Sequence, residues 1–311
     1  MLFTLEHPVG QADCHPALYG PEGLPGLAQA AERAGFNAIA FTEHPAPSLK
    51  WLRGGGHATL DPIAALGFVA ACTTKLNVMP YLLVLPYRNP LLAAKSIVSL
   101  DVLSGGRLVV AAGGGYLRSE FGALGVDFDE RGALFDEALD VLRGACTSEE
   151  FHYRGGHFEA RGTAMVPGPV QRPHPPIWIG GNGRNARRRV ARYGQGWSPL
   201  IASAEMAATT RMPAITTVRQ LAEKVDDLRQ LVAESGRDPA SIDVQVLSPL
   251  SDVCNTKTSV ERMHDHIGEL AVAGVTHFVI RPPAESPSAA IDSITWFGEQ
   301  FIAGQFNKEG Q

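Results

Sequence analysis

Short apolar runs recur along the chain, and each is bounded by turn residues and followed by a longer helix-forming stretch. Runs this short and uniformly apolar are typical of strands buried on both faces, as in a parallel sheet covered by helices. The pattern predicts eight strands: Leu2–Glu6, Asn37–Thr42, Lys75–Leu85, Arg107–Ala112, Ile177–Ile179, one near Trp197, Ile242–Leu247 and His277–Arg281.

The stretches between these strands carry helix start and stop signals. Asp61 before Pro62 is a strong N-terminal signal, and Gly194 and Gly274 are typical C-terminal stops. The segment 148–176 is rich in proline and glycine, and it predicts an insertion that contains a hairpin. The predicted helices are Leu24–Ala34, Pro62–Cys72, Leu91–Leu103, one from Tyr116 onward, Glu130–Ala145, Arg184–Tyr193, Ala222–Ser235, Ser259–Ala273 and Pro287–Phe301.

Eight strands alternating with helices in 311 residues predict an α/β fold of the (β/α)8 TIM-barrel type. A doubly wound open sheet is the alternative, and the count of eight strands favours the barrel. The length suits a single barrel domain over residues 1–305, followed by a frayed C-terminus at 306–311.

Composition excludes several classes of protein. The net charge of −5 gives no indication of nucleic-acid binding, and no apolar run approaches the length of a membrane span. The N-terminus has no basic segment followed by an apolar one, so no secretory signal is expected. Four scattered cysteines and ten scattered histidines form no metal-ligand spacing. We therefore expect a cytoplasmic enzyme without a metal, acting on a small molecule.

In a barrel of this type the active site lies where the strands end, so these positions are the candidates. They are Glu6–His7, Glu43–His44, Leu82–Leu85, Gly113–Tyr116 and Gly180–Arg184. His44 is the best acid–base candidate, because a histidine exchanges protons near neutral pH. A solvated polar strand end is the plainer interpretation of the same residue.

The turn Gly180-Gly181-Asn182-Gly183, followed by Arg184, joins a strand to a helix. Backbone N–H groups in such a turn bind anions, phosphate above all, although a simple tight turn explains the glycines equally well. Gly181, Gly183 and Ala186 also match the dinucleotide fingerprint G-x-G-x-x-G/A. The acidic residue expected about 20 positions later is missing after Trp197, which argues against a Rossmann domain.

Four motifs in order resemble the luciferase-like monooxygenase family, and most closely its branch that uses coenzyme F420, a deazaflavin. They are Leu83–Pro86 with Arg88–Pro90, Leu100–Leu108, Gly113–Arg118 with Glu120–Phe121 and Ala123–Gly125, and Arg172–Asn182. The resemblance covers residues 2 to about 200. It implies a TIM barrel with a flavin or deazaflavin at the C-terminal face, and usually a homodimer.

The resemblance also implies roles for individual residues. His44 matches a histidine beside the reactive ring, and Leu82–Leu83 fall where the family often has a bulge with a non-prolyl cis peptide. Gly114, Gly115 and Tyr116 match a loop that lines the cofactor. Gly180, Gly181, Asn182, Gly183 and Arg184 match the phosphate-binding turn. Some deazaflavin dehydrogenases carry a glutamate where this chain has Tyr116, which argues against a role on sugar phosphates or simple alcohols.

The sequence thus predicts an F420-dependent oxidoreductase that transfers a hydride between cofactor and a small organic substrate, with His44 moving the proton. The first alternative is an FMN-dependent monooxygenase that uses molecular oxygen. An alternative of another class is a non-catalytic barrel protein that binds a flavin. The loops at 45–60 and 148–176, with Trp51 and Phe158 among their aromatic residues, predict an apolar, partly aromatic substrate pocket.

Overall fold

A computed structural model of the chain describes residues 1–11, 13–253 and 259–303. Within these residues the chain forms ten strands and eleven α-helices. The strands are β1 (Leu2–Glu6), β2 (Ala38–Phe41), β3 (Asn77–Val84), β4 (Val110–Gly113), β5 (Phe151–Arg154), β6 (Glu159–Thr163), β7 (Ile177–Gly180), β8 (Gly196–Ser198), β9 (Asp243–Val246) and β10 (His277–Ile280).

The helices fill the connections between the strands. They are α1 (Gly23–Arg33), α2 (Leu49–Arg53), α3 (Pro62–Cys72), α4 (Pro90–Ser104), α5 (Arg118–Ala123), α6 (Arg131–Thr147), α7 (Arg184–Tyr193), α8 (Ala204–Thr209), α9 (Val218–Glu234), α10 (Val260–Val272) and α11 (Pro287–Phe297). A π-helical turn, Gly298–Ile302, extends α11. The short helix α2 lies in the segment 45–60, where the sequence predicts a loop.

Eight of the described strands close into a barrel in the order β1-β10-β9-β8-β7-β4-β3-β2, and every neighbouring pair is parallel. This confirms the (β/α)8 TIM barrel and excludes the open sheet. The remaining strands, β5 and β6, pair antiparallel as a hairpin between the fourth and fifth barrel strands. The predicted insertion is therefore confirmed, while the expected frayed segment 306–311 lies outside the described residues.

Two packing layers hold the barrel. The main hydrophobic core lies between strands and helices, where for example Phe3 packs edge-on against Phe297 at 5.2 Å between ring centroids. A smaller cluster, formed by Ala40, Met79, Ala111 and Trp178, packs separately. Its neighbour Gln245 is fully buried and accepts the Thr4 hydroxyl at 2.7 Å. Burial of these apolar groups is the main favourable contribution to folding.

Local signals explain the helix that precedes β3 and the helix that follows it. The Asp61 carboxylate accepts the backbone N–H of Ala64 at 2.9 Å, as the N-cap signal predicts. Asn89 caps α4 in the same way through Leu91, and Pro90 occupies its first turn. Gly105 ends α4 with a φ of 67°, a left-handed conformation that favours glycine.

Apolar side chains remain exposed on α3 and α4. Leu92 and Leu103 are 69% and 71% exposed and lie eleven residues apart, on one face of α4, while Phe68 of α3 is 49% exposed. Such side chains suit contact with a second copy of the chain. The homodimer stays a prediction. No helix within the described residues is long and apolar enough to cross a membrane.

Arg107 ties the ends of α3 and α4 together at the end of the barrel opposite the strand carboxyl ends. Its guanidinium donates to the Ala70, Leu76 and Ser104 carbonyls and to the Thr73 hydroxyl, at 2.6–2.9 Å. A charged donor that satisfies four acceptors contributes more than a surface ion pair, because the acceptors are left without a partner when it is removed.

We therefore expect Arg107→Ala to lower the free energy of unfolding by about 2–4 kcal/mol, measured by urea denaturation. Arg219→Ala is the matched control, since Arg219 is exposed and its contact with Glu223 is 3.7 Å; it should cost less than about 0.5 kcal/mol. A loss below about 1 kcal/mol for Arg107→Ala would mean that water replaces its donors without penalty.

Candidate active site

A cavity of about 360 Å³ lies at the carboxyl ends of the barrel strands. Residues at the ends of β3, β4 and β7 and in the segments after β2, β3, β4, β7 and β8 form its wall, as expected for a TIM barrel. The lining residues are Thr42, Glu43, His44, His57, Tyr81, Leu82, Val84, Tyr87, Gly113, Gly114, Gly115, Tyr116, Arg131, Gly180, Gly181, Thr210, Arg211 and Met212.

The Leu82 side chain fills the space beside two glycines of neighbouring strands. A Cβ on Gly113 would lie 2.9 Å, and one on Gly180 2.1 Å, from Cδ1 of Leu82. Both positions therefore need glycine as long as Leu82 stays in place. The result is a smooth wall of backbone and aliphatic side chain, of the kind that a flat ring system packs against.

Leu83, also predicted to bind the cofactor, points the other way. It is completely buried in the main core and is not among the residues that line the cavity. The pairing of β3 with β4 shifts register between Tyr81 and Leu83. The non-prolyl cis peptide bond joins Tyr81 to Leu82, one bond earlier than the predicted pair Leu82–Leu83.

The predicted phosphate turn is divided between the cavity and the structure behind it. Gly180 and Gly181 line the cavity, but the Gly181 N–H donates to the Ser198 carbonyl at 3.2 Å. The Asn182 amide donates to the Leu200 and Pro213 carbonyls, and its oxygen accepts the Leu200 N–H. Asn182 therefore ties the turn to the segment after β8.

The last two residues of the turn lie off the cavity. Gly183 is the N-cap of α7, and its carbonyl accepts the Ala186 N–H at 3.1 Å. Arg184 is exposed and is not among the lining residues. Their role in phosphate binding stays a prediction. Arg131 and Arg211 do line the cavity, and both guanidiniums pack on the Phe128 ring, at 3.9 and 5.2 Å from its centroid.

His44 is held by a carboxylate that has no solvent exposure. Its Nδ1 lies 3.0 Å from Oε2 of Glu120, whose side chain is 0% exposed, while the His44 side chain is 9% exposed. The Tyr87 hydroxyl donates to the same Glu120 oxygen at 2.9 Å, and the Ala46 N–H donates to the other at 3.1 Å. Because the carboxylate accepts from both groups, we assign Nδ1 of His44 as a third donor.

Aromatic residues surround the other side of the His44 ring. The Tyr116 hydroxyl lies 3.3 Å from Nε2. The rings of Trp51 and His57 lie 4.5 and 5.0 Å from the His44 ring, centroid to centroid. The pKa of His57 is lowered, chiefly by burial. The predicted aromatic contribution of the loop at 45–60 is thus present at the site, and it lies against the proposed acid–base residue.

Glu43, the neighbour of His44, holds the end of β3. One carboxylate oxygen accepts the Val84 N–H at 2.6 Å and the other pairs with Arg88. Burial raises the pKa of Glu43, against the opposing effect of Arg88. These contacts fix the backbone next to Leu82 and leave Glu43 less suited to proton transfer than His44.

Sequence reasoning missed two kinds of residue at this site. Glu120 appears in the sequence only as part of a motif, and nothing nearby indicates that its carboxylate meets a histidine 76 positions earlier. Arg131 begins α6 and Arg211 follows α8, and the two form no sequence pattern. The position of Glu120 soon after a barrel strand was the only available signal.

Glu6 and His7, the candidates after β1, are both buried. Burial raises the pKa of Glu6 to about 7, with Arg281 opposing and Asp252 adding to the shift. His7 accepts the Val9 N–H at Nδ1 and stacks on Phe41 at 4.6 Å, and burial lowers its pKa to about 3. Neither residue lines the cavity, and the neutral His7 serves as an N-cap of a short 3₁₀ turn.

The Glu6 carboxyl should make stability fall as the pH rises. Below about pH 4.5 the folded and unfolded chains both keep this proton, whereas between about 4.5 and 7 only the folded chain keeps it. The unfolding free energy of wild type, relative to that of Glu6→Gln at the same pH, should therefore fall by about 3 kcal/mol between pH 4.5 and 7. Denaturant unfolding of both proteins measures it. Glu149→Gln, at an exposed position, is the control; a flat difference for Glu6→Gln would contradict the shift.

Two curated proteins that resemble this chain use different cofactors. The FMNH2-dependent dimethylsulfone monooxygenase of Pseudomonas putida is 33% identical over 170 residues, which cover 53% of this chain and 45% of that protein. The F420-dependent glucose-6-phosphate dehydrogenase of Gordonia bronchialis is 24% identical over 299 residues, covering 90% and 85%. The chain spans about half the length of the monooxygenase relative.

A solved structure of an F420-dependent secondary alcohol dehydrogenase, in complex with an F420-acetone adduct, superimposes with a TM-score of 0.75. It is 17% identical and the match covers 97% of this chain and 98% of that one, which establishes a common fold. A model of the family described as luciferase-like monooxygenase matches residues 8–278. The family has members that use F420 and members that use FMN, and its barrel is the one described above. The chain belongs to the luciferase-like monooxygenase family.

Proposed function

We propose that the protein is an F420-dependent oxidoreductase that transfers a hydride between the bound deazaflavin and a small organic substrate, with His44 as the acid–base residue. The observation that carries this proposal is the contact between His44, at the cavity wall, and the fully buried carboxylate of Glu120. A histidine held by a carboxylate is suited to moving the proton that accompanies a hydride.

The cavity fits a flat cofactor with an anionic tail. The ring would pack on the wall formed by Leu82 and the backbone of Gly113–Gly115 and Gly180. The Thr42 hydroxyl, also in the lining, is buried without a hydrogen-bond partner among the described residues. Arg131 and Arg211 line the cavity and, in the described part of the chain, neither has a carboxylate oxygen within 4 Å. When bound, the deazaflavin supplies or accepts the hydride.

The protein's own groups handle the proton. Glu120 accepts Nδ1–H of His44 and so fixes the orientation of the imidazole, leaving Nε2 as the atom that exchanges the proton. Glu120 has no solvent exposure, and the Trp51 ring packs against the His44 ring, so His44 meets solvent only through the small part of its side chain that stays exposed. The chain thus orients the acid–base group, and the cofactor performs the redox step.

The choice of deazaflavin rests on the likeness to the F420-dependent relative, which extends over 90% of the chain. An FMN-dependent monooxygenase is the second candidate, and the 33% identity to the dimethylsulfone monooxygenase over 170 residues favours it. Consumption of molecular oxygen during turnover would distinguish the monooxygenase from the deazaflavin enzyme.

We expect the purified chain to bind coenzyme F420 with a lower dissociation constant than FMN, measured by fluorescence titration. Riboflavin is the control ligand, because it keeps the flavin ring but lacks the phosphate that Arg131, Arg211 and the turn at 180–183 would bind. Tighter binding of FMN would transfer the assignment to the monooxygenase, and binding of none of the three would remove both proposals.

His44→Ala should lower kcat about 10²- to 10⁴-fold, the usual contribution of a general acid or base, and raise the barrier by about 3–5 kcal/mol. The dissociation constant of the cofactor should change little, because the ring wall and the anion-binding groups are untouched. His44→Gln is the companion variant, since it keeps a hydrogen bond to Glu120 but transfers no proton at neutral pH. Near-normal turnover with glutamine, or a loss below about fivefold with alanine, would withdraw the catalytic assignment of His44.

A further inference from the structure

Both ring nitrogens of His44 already have a partner within the protein. Nδ1 lies 3.0 Å from Glu120, and Nε2 lies 3.3 Å from the Tyr116 hydroxyl. The Tyr116 ring meets the imidazole edge-on, at 5.6 Å between centroids and an interplanar angle of 82°. A substrate in the cavity therefore exchanges a proton with His44 through the Tyr116 phenol, unless it first displaces that phenol.

The surroundings of Tyr116 keep its proton in place. The side chain lines the cavity, and burial together with the nearby Glu120 carboxylate raises the pKa of the phenol to about 12. At neutral pH the group facing the cavity is then a neutral hydroxyl that donates a hydrogen bond. Such a group stabilises an oxygen that gains negative charge, as the oxygen of a carbonyl compound does when it is reduced.

We propose that Tyr116 is the catalytic acid that meets the substrate, that His44 returns the proton to it, and that the substrate is a ketone, an aldehyde or an α,β-unsaturated carbonyl compound that is reduced. The inference rests on the proposed function, since it assumes a reduced deazaflavin as the hydride donor. It goes further in naming the donor atom, the direction of the reaction and the substrate class.

The step balances with the groups at hand. With the reduced cofactor bound, the carbonyl carbon would receive a hydride and form a C–H bond; in the unsaturated compound the β-carbon would do so, and the enol formed there would tautomerise in solvent. The π electrons move to the carbonyl oxygen, which takes the proton of the Tyr116 hydroxyl. The phenol oxygen then takes a proton from Nε2 of the His44 imidazolium, whose Nδ1–H stays bound to Glu120. Solvent returns one proton to His44, so the substrate gains a hydride and a proton in total.

Glu120 and Tyr87 serve this arrangement without touching the substrate's reacting atoms. The Glu120 carboxylate accepts Nδ1–H of His44, and the Tyr87 hydroxyl donates to the same carboxylate from the other side. Negative charge thus lies behind His44, while a neutral donor faces the cavity. This order of groups suits delivery of a proton toward the substrate.

The test uses the full chain loaded with reduced coenzyme F420, with 2-cyclohexen-1-one and benzaldehyde as probes, and follows the absorbance of the oxidised cofactor. Tyr116→Phe keeps the ring and removes the hydroxyl, so kcat should fall at least about a hundredfold. KM for the probe and the dissociation constant of the cofactor, measured by fluorescence, should stay within about threefold. Tyr19→Phe, at an exposed position that does not line the cavity, is the matched control, and its kcat should change less than about twofold.

Chemical rescue separates a catalytic phenol from a structural one. Added phenol should restore the kcat of Tyr116→Ala at least about tenfold, whereas toluene, of similar shape but without a hydroxyl, should not. Equal effects of phenol and toluene, a loss below about fivefold in Tyr116→Phe, or reduction of neither probe by wild-type enzyme that binds the cofactor would each overturn the inference and leave the proposed function standing. Failure of the wild-type chain to bind coenzyme F420 would overturn both.

Discussion

The burial of the Glu120 carboxylate is the constraint on which the site depends. A carboxylate without solvent contact is costly unless donors replace the water it has lost. Two segments supply them, since His44 and the Ala46 N–H follow β2 and Tyr87 follows β3, while Glu120 itself lies in α5 after β4. The need to satisfy one charge therefore brings three neighbouring strand ends into a single arrangement.

A second buried carboxylate acts next to the first. Glu43 accepts the Val84 N–H and pairs with Arg88, which fixes the end of β3. That strand carries Leu82, whose side chain lies against Gly113 and Gly180 of the neighbouring barrel strands. The two adjacent residues after β2 thus differ in their contacts: Glu43 holds the end of β3, and His44, for which we propose the acid–base role, is held by Glu120.

Much of the fold could be predicted from the sequence because its signals are local. The strand near Trp197 is only three residues long, yet the turn before it predicts where it begins. The N-cap role of Asp61 follows from the residues next to it in the sequence. Side-chain directions near the carboxyl end of β3 were harder to predict, because a register shift between Tyr81 and Leu83 breaks the alternation of side chains between the two faces. Leu83 therefore lies in the core, although the resemblance predicts it beside the cofactor together with Leu82.

The candidate site could be predicted only where it follows from the barrel itself. In a TIM barrel the active site lies at the carboxyl ends of the strands. This rule predicts seven residues that do line the cavity: His44, Leu82, Gly114, Gly115, Tyr116, Gly180 and Gly181. It could not find Arg211, which follows α8 and reaches the cavity by a path of the chain that no periodicity encodes. Contacts between distant loops depend on tertiary packing, which a local pattern does not contain.

Negative charge lies at a different place in this cavity than it would in a cavity with a glutamate at the position of Tyr116. A carboxylate at that position would face the substrate directly and would repel an anionic one. In this chain the charge of Glu120 lies on the far side of His44, and the cavity wall presents a phenol, an imidazole and the guanidiniums of Arg131 and Arg211. Glu43, the one carboxylate among the lining residues of the described chain, is paired with Arg88, so the cavity combines partnered carboxylates with two guanidiniums that can face an anionic ligand.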